Sequence, residues 1–113
     1  EANLIRAQRL CDEVGDSAFY VATTFRPGLS SFVHQHPGPE VWFIVSGAQC
    51  LETPDGALPG HAGESFVVRG DLTMIVYATG TEIRRNFALV LHDATKPTTT
   101  PVDYWKPRGL CHG

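Results

Sequence analysis

Between Ala18 and His92, apolar and polar residues alternate in short runs, and a turn signal closes each run. AFYVATTF (18–25) stops at Arg26-Pro27-Gly28, and SSFVHQH (30–36) stops at Pro37-Gly38-Pro39. EVWFIVSG (40–47) runs on into AQCLET (48–53), which meets Pro54-Asp55-Gly56. SFVV (65–68), LTMIVYA (72–78) and RRNFALVLH (84–92) follow, separated by Arg69-Gly70-Asp71 and Thr79-Gly80-Thr81. A period of two puts alternate side chains on opposite faces, and short strands with turn signals every ten residues or so predict an all-β sandwich or barrel. The N-terminal segment has no such period; Leu4, Ile5 and Leu10 could lie on a short helix or an irregular edge. After Asp93 the chain becomes polar and proline-rich, predicting an extended tail (93–113) whose Trp105 and Leu110 dock on a barrel core formed by 18–92. Neither an internal repeat nor a second domain is visible, so residues 1–113 are read as one domain.

Composition narrows the functional classes. Hydrophobic residues make up 42% of the chain, enough to build a core. The net charge is -3 and basic residues form no run, which argues against nucleic acid and anionic membrane surfaces as partners. The apolar runs at 41–45 and 87–91 are far too short to span a bilayer. The sequence opens on Glu1, which implies that upstream residues were removed, by truncation or with a signal peptide. Of three cysteines, Cys11 and Cys111 lie near the two ends, which often meet on a compact domain. Their pairing is expected, with Cys50 left free, and leans the chain toward a periplasmic or secreted location; three free thiols would place it in the cytoplasm.

The candidate chemistry lies in His34-Gln-His36-Pro-Gly-Pro-Glu40. On a strand, residues two apart share a face, so His34 and His36 project together. The Pro-Gly-Pro turn reverses the chain, and Glu40 then opens a neighbouring strand with its carboxylate toward the two imidazoles. Two imidazoles and a carboxylate form a facial set with open positions, compatible with Fe(II), Mn(II), Co(II), Ni(II), Cu(II) or Zn(II). Trp42 shares the face of Glu40 and is expected inside the barrel.

Gly28, His34, His36, Glu40 and Gly47, at their observed spacings, resemble the first signature of the cupins at every defined position. The resemblance implies a small jelly-roll β-barrel in which His34, His36 and Glu40 are metal ligands, and it also implies a homodimer. The second signature departs: Gly63 fits, but Arg69, Asp71, Met74 and Ala78 stand where Pro, Gly, the third histidine and Asn are usual. Met74 therefore has three readings: an apolar pocket residue beside a three-ligand metal, a thioether ligand favouring copper, or the mark of a barrel that has lost its metal and kept its pocket. With Phe32 and Trp42, Met74 would form a tight apolar pocket mouth. Arg69-Gly70-Asp71 is read as a plain turn, and His61 and His92 as solvated.

These readings give two functions for one pocket. The first is a metal-dependent enzyme acting on a small organic molecule, of the oxygenase or isomerase type found among cupins. The alternative is a non-catalytic module that holds a small ligand or a metal, and an assembly role alone is a third possibility.

Overall fold

The computed structural model describes residues 16–93 and 95–112. Leu4, Ile5, Leu10 and Cys11 lie outside them. The described residues form nine strands: β1 (Asp16–Phe25), β2 (His34–Gln35), β3 (Glu40–Ser46), β4 (Ala48–Thr53), β5 (Gly56–His61), β6 (Ser65–Val68), β7 (Ile75–Thr79), β8 (Arg84–Asp93) and β9 (Thr100–Pro101). One antiparallel sheet has the order β1-β8-β3-β6 and a second the order β5-β4-β7, and β2 and β9 form a separate short ribbon. The architecture is an all-β jelly-roll barrel.

Alternation along the strands sorts side chains into inside and outside. In β3, Glu40, Trp42 and Ile44 are buried while Val41, Phe43 and Val45 are exposed. In β8, Arg84, Asn86, Ala88 and Val90 face inward. Between the sheets Trp42, Leu51, Val68, Met74, Val76, Ala88 and Val90 form the core, with Phe19, Val21 and Phe66 packed against it. Burying such side chains is the main force closing a barrel of this size.

Three differences from the sequence reading have physical reasons. Residues 56–61 form a strand, although Pro59-Gly60 marks a loop in the sequence; β5 pairs only with β4, and an edge strand tolerates proline. The run 30–36 is only partly paired as a strand. Its first half lies along β7 through bonds such as Ser31 N–H to the Val76 carbonyl, and His34 exchanges both backbone bonds with Met74. The tail contributes β9, which pairs Thr100 with Gln35 and Pro101 with His34.

The disulfide expectation is corrected. Cys111 pairs with Cys50, their Cα atoms 5.7 Å apart, so Cys50 is not the free thiol and Cys11 is not its partner. Cys50 and Glu52 point to the outer face of β4, and the tail covers them there. The Glu52 carboxylate accepts the backbone N–H groups of Arg108 and Leu110, and the Tyr77 ring meets that of His112. Both faces of β4 are therefore buried. Sequence alone offered no geometry to choose among the three possible pairings.

Candidate functional site

His34 sits where the 28–34 segment leaves β7, and His36 lies just before the Pro37-Gly38-Pro39 turn that brings in Glu40 at the head of β3. The loop after β6 supports this turn: Asp71 N–H donates to the His36 carbonyl at 2.7 Å. Gly70 approaches Gly38 so closely that an added Cβ would meet its Cα at 3.1 Å. The Arg69-Gly70-Asp71 tripeptide thus serves as a buttress for the turn, and Arg69 is held by Asp55 at the surface.

The three side chains come together. The His34 and His36 rings meet edge to face with centroids 4.8 Å apart. His36 Nε2 stands 3.0 Å from Glu40 Oε2, and Glu40 Oε1 accepts the Trp42 indole N–H at 2.9 Å. Although ion-paired with His36, the buried Oε2 makes no well-aligned hydrogen bond. Each imidazole is oriented by a main-chain carbonyl: His34 Nδ1 lies 2.7 Å from the Phe32 oxygen, and His36 Nδ1 lies 2.7 Å from the Thr98 oxygen. A carbonyl only accepts, so both Nδ1 atoms carry the hydrogen, and in the neutral rings both Nε2 atoms keep a lone pair.

Electrostatics separate the two rings. Burial pulls the His34 pKa below its usual 6.5, with the charge of His36 adding to the effect; the Phe32 carbonyl and Glu40 oppose it without prevailing. Burial pulls on His36 too, but the Glu40 carboxylate and the Thr98 carbonyl outweigh it and leave His36 above the usual value. As the side chains stand, no three His, Cys, Asp or Glu residues among those described are arranged to hold one metal ion together. His36 and Glu40 are instead in direct contact, where a proton on His36 Nε2 and a metal ion compete for the same lone pair. In its donor chemistry, two imidazole nitrogens and a carboxylate with a spare oxygen, the group fits a divalent transition metal.

The site opens on a cavity of about 350 Å³ inside the barrel. Trp42 lines it from β3, and Phe32, with more than half its surface exposed, stands at the mouth with its ring edge to face with His34. Met74 does not line it. It is buried in the core beside Trp42, paired through its backbone with His34, which is the apolar one of the readings above without the pocket role. His61 is exposed.

The sequence reading missed four contributors. Arg84 and Asn86 line the cavity from β8, and the tail lends Thr98 and Thr99. Arg84 is almost fully buried; its Nε donates to Gln49 Oε1 and its Nη1 to Thr23 Oγ1, each at 2.9 Å. Its guanidinium lies 5.2 Å from the ring centre of Phe25 and 5.7 Å from that of Trp42. The available signal was the alternation of β8, which puts Arg84 and Asn86 on the face of Ala88, a small residue that leaves room inside. For the tail it was the β-branched run 98–100 between Pro97 and Pro101, a composition suited to a short edge strand.

No known family matches the sequence, and no curated protein matches it significantly. The structure does match solved structures. An uncharacterised conserved protein with a double-stranded β-helix domain from Klebsiella pneumoniae superposes with a TM-score of 0.64 at 16% identity, covering 75% of this chain and 70% of that one. A cupin 2 conserved barrel domain protein from Salinispora arenicola gives 0.60 at 24% identity, covering 69% and 65%. An oxalate oxidase in complex with the substrate analogue glycolate gives 0.61 at 21% identity; 79% of this chain is covered, but only 47% of the oxidase. The chain has the double-stranded β-helix fold of the cupin superfamily.

Proposed function

We propose that this cupin barrel binds a divalent transition metal through His34, His36 and Glu40 and acts on a small organic molecule held in the adjoining cavity. One observation carries the reading: both histidines give their Nδ1–H to main-chain carbonyls, so in the neutral rings both Nε2 lone pairs are available to a cation beside the buried Glu40 carboxylate, His36 once it gives up the proton held against Glu40. Ligating histidines usually have this second hydrogen bond, which fixes the tautomer and ring orientation. An ion held there supplies Lewis-acid or redox chemistry at its open positions. Fe, Mn, Co, Ni, Cu and Zn all accept nitrogen and oxygen donors, and the core position of Met74 removes the argument for copper in particular. The protein's own contribution is an apolar enclosure that keeps water off the reacting group, with Trp42 fixing the Glu40 carboxylate. The oxalate oxidase neighbour supports the oxidoreductase type of chemistry over the isomerase type.

The test is metal uptake by protein freed of metal with a chelator. Wild type should take up close to one Fe(II), Mn(II), Co(II), Ni(II), Cu(II) or Zn(II) per chain. His36→Ala should bind that metal more weakly by about a hundredfold or more. Equal uptake by the two proteins would remove the site assignment.

A non-catalytic binding module is the second reading, favoured by the cavity lining: beyond the His–Glu group the described residues offer it no carboxylate, histidine, lysine, cysteine or tyrosine as a general base. Turnover of any substrate by the metal-loaded protein would decide against it.

Assembly belongs to the same proposal. The outer face of the four-stranded sheet exposes Val41, Phe43, Val67 and Phe87 side by side, since Val41 pairs with Val67 and Phe43 with Phe87. Such a patch fits a second copy of the chain in a homodimer. The Cys50–Cys111 disulfide fits an oxidising compartment, periplasmic or extracellular. No helix among the described residues is long and apolar enough to cross a membrane.

A further inference from the structure

A buried guanidinium is costly unless its charge is answered. Arg84 lies inside the barrel with about 1% of its surface exposed, and among the described residues no carboxylate pairs with it. Its two hydrogen bonds go to the neutral side chains of Gln49 and Thr23, and burial alone lowers its pKa, to about 10, so it remains a cation at neutral pH. Those bonds use Nε and Nη1, so among the described residues the hydrogen-bond partners of the guanidinium charge are neutral. Phe25 and Trp42 flank the group, which fixes its position and supplies an apolar wall.

A second buried polar group stands beside it. Asn86 is two residues along the same strand, faces the same cavity, and its Oδ1 has no hydrogen-bond partner among the described residues. Unanswered polar atoms in a folded interior call for an explanation, and a ligand is one.

We infer that the cavity takes a small organic anion, a carboxylate with an apolar body, whose charged group is held by Arg84 and a hydrogen-bonding group by Asn86. This deepens the functional reading above by naming the ligand class of the same cavity. The assignment itself does not depend on a metal, because Arg84 makes no described contact with His34, His36 or Glu40. A bidentate guanidinium–carboxylate pair answers the buried charge, and the aromatic lining accepts the rest of the molecule. An alternative account makes Arg84 a purely structural link between β4, β1 and β8. That account predicts no discrimination between an acid and its neutral isostere.

The experiment uses the full chain freed of metal and titrates it by calorimetry with propionate, lactate, phenylacetate and mandelate, each beside its uncharged amide; the hydroxyl of lactate and mandelate can donate to Asn86 Oδ1. At least one acid should bind, and more tightly than its amide by about tenfold or more. Arg84→Met should bring acid and amide to equal affinity. Arg84→Lys, which keeps the charge and strains the fold less, should retain a reduced preference for the acid. Equal affinity for acid and amide in wild type, no binding of any acid at millimolar concentration, or an undiminished preference in Arg84→Met would each overturn the inference. Should Arg84→Met not fold, the acid–amide comparison in wild type and Arg84→Lys decides alone. Metal uptake by the same variants separates the two proposals: Arg84→Lys that takes up metal but shows no preference for the acid fails the anion site and leaves the metal site standing.

Discussion

At the scale of single residues, the two histidines have opposite linkage to folding. His36 has its pKa raised in the folded chain, so its contribution to stability is complete below the unfolded value near 6.5 and is lost as pH rises through the higher folded value. His34 has its pKa lowered, so its contribution is complete above that unfolded value and is lost as pH falls through the folded one. In wild type the two effects fall on opposite sides of that value and make stability greatest near it. Removing one partner exposes the other: in metal-free protein, unfolding free energy should rise with pH on the acid side of the unfolded value in His36→Gln and fall with pH on its alkaline side in His34→Gln. Denaturant titrations at several pH values check this, and slopes of equal sign would contradict the assignment of roles. His34, His36 and Glu40 were legible in the sequence because a period of two and one turn suffice to bring them together. Arg84 was not, since an arginine in an alternating run reads as a solvated position unless the inward face is known from pairing.

At the scale of elements, two glycines of the sequence signature have different physical reasons. Gly47 joins β3 to β4 at φ 73°, and an added Cβ would lie 2.6 Å from the Ile83 carbonyl oxygen and 2.8 Å from the Arg84 Cα. Gly28 also has a positive φ, 89°, but open space around it. Gly28→Ala should therefore cost only the left-handed strain, about 1 to 2 kcal/mol. Gly47→Ala adds a clash with backbone and should cost about 3 kcal/mol or more. It should also disturb the cavity through Arg84, so carboxylate binding weakens in Gly47→Ala and survives in Gly28→Ala. Thermal denaturation and the calorimetric titration read the two effects separately. The strands with clean alternation were legible, whereas β5 and β9 were not. Both contain proline and lack a clear apolar alternation; β5 is held by the hairpin it makes with β4, and β9 by β2, which is distant in sequence.

At the scale of the whole molecule, one covalent bond fixes the tail that helps to build the site. The Cys50–Cys111 loop, with a sequence separation of 61, should contribute about 4 kcal/mol through the entropy of the unfolded chain. Typical losses on removing a native disulfide are smaller, so Cys111→Ser is expected to lower stability by about 2 to 4 kcal/mol and Tm by roughly 8 to 17 °C. Calorimetric scans with and without reductant test it; an unchanged Tm would mean the tail is held by its other contacts, such as those to Glu52. The homodimer has its own test. Sedimentation should show twice the mass of the chain at micromolar concentration, and Phe43→Asp should return a single chain. Neither the disulfide pairing nor the exposed sheet face could be derived from composition, because both depend on which strand lies beside which.

The pairing of β1 with β8 sets the order in which such a chain can be built. Asp16 lies opposite Asp93, and Phe25 lies opposite Arg84, so the first described strand waits for the last long one. During synthesis β1 leaves the ribosome long before β8 does, and until then its alternating face has neither a hydrogen-bonded neighbour nor a core to cover it. Such non-local pairing makes folding slow for a chain of this size and leaves the nascent segment a ready target for chaperones or for other unfinished copies.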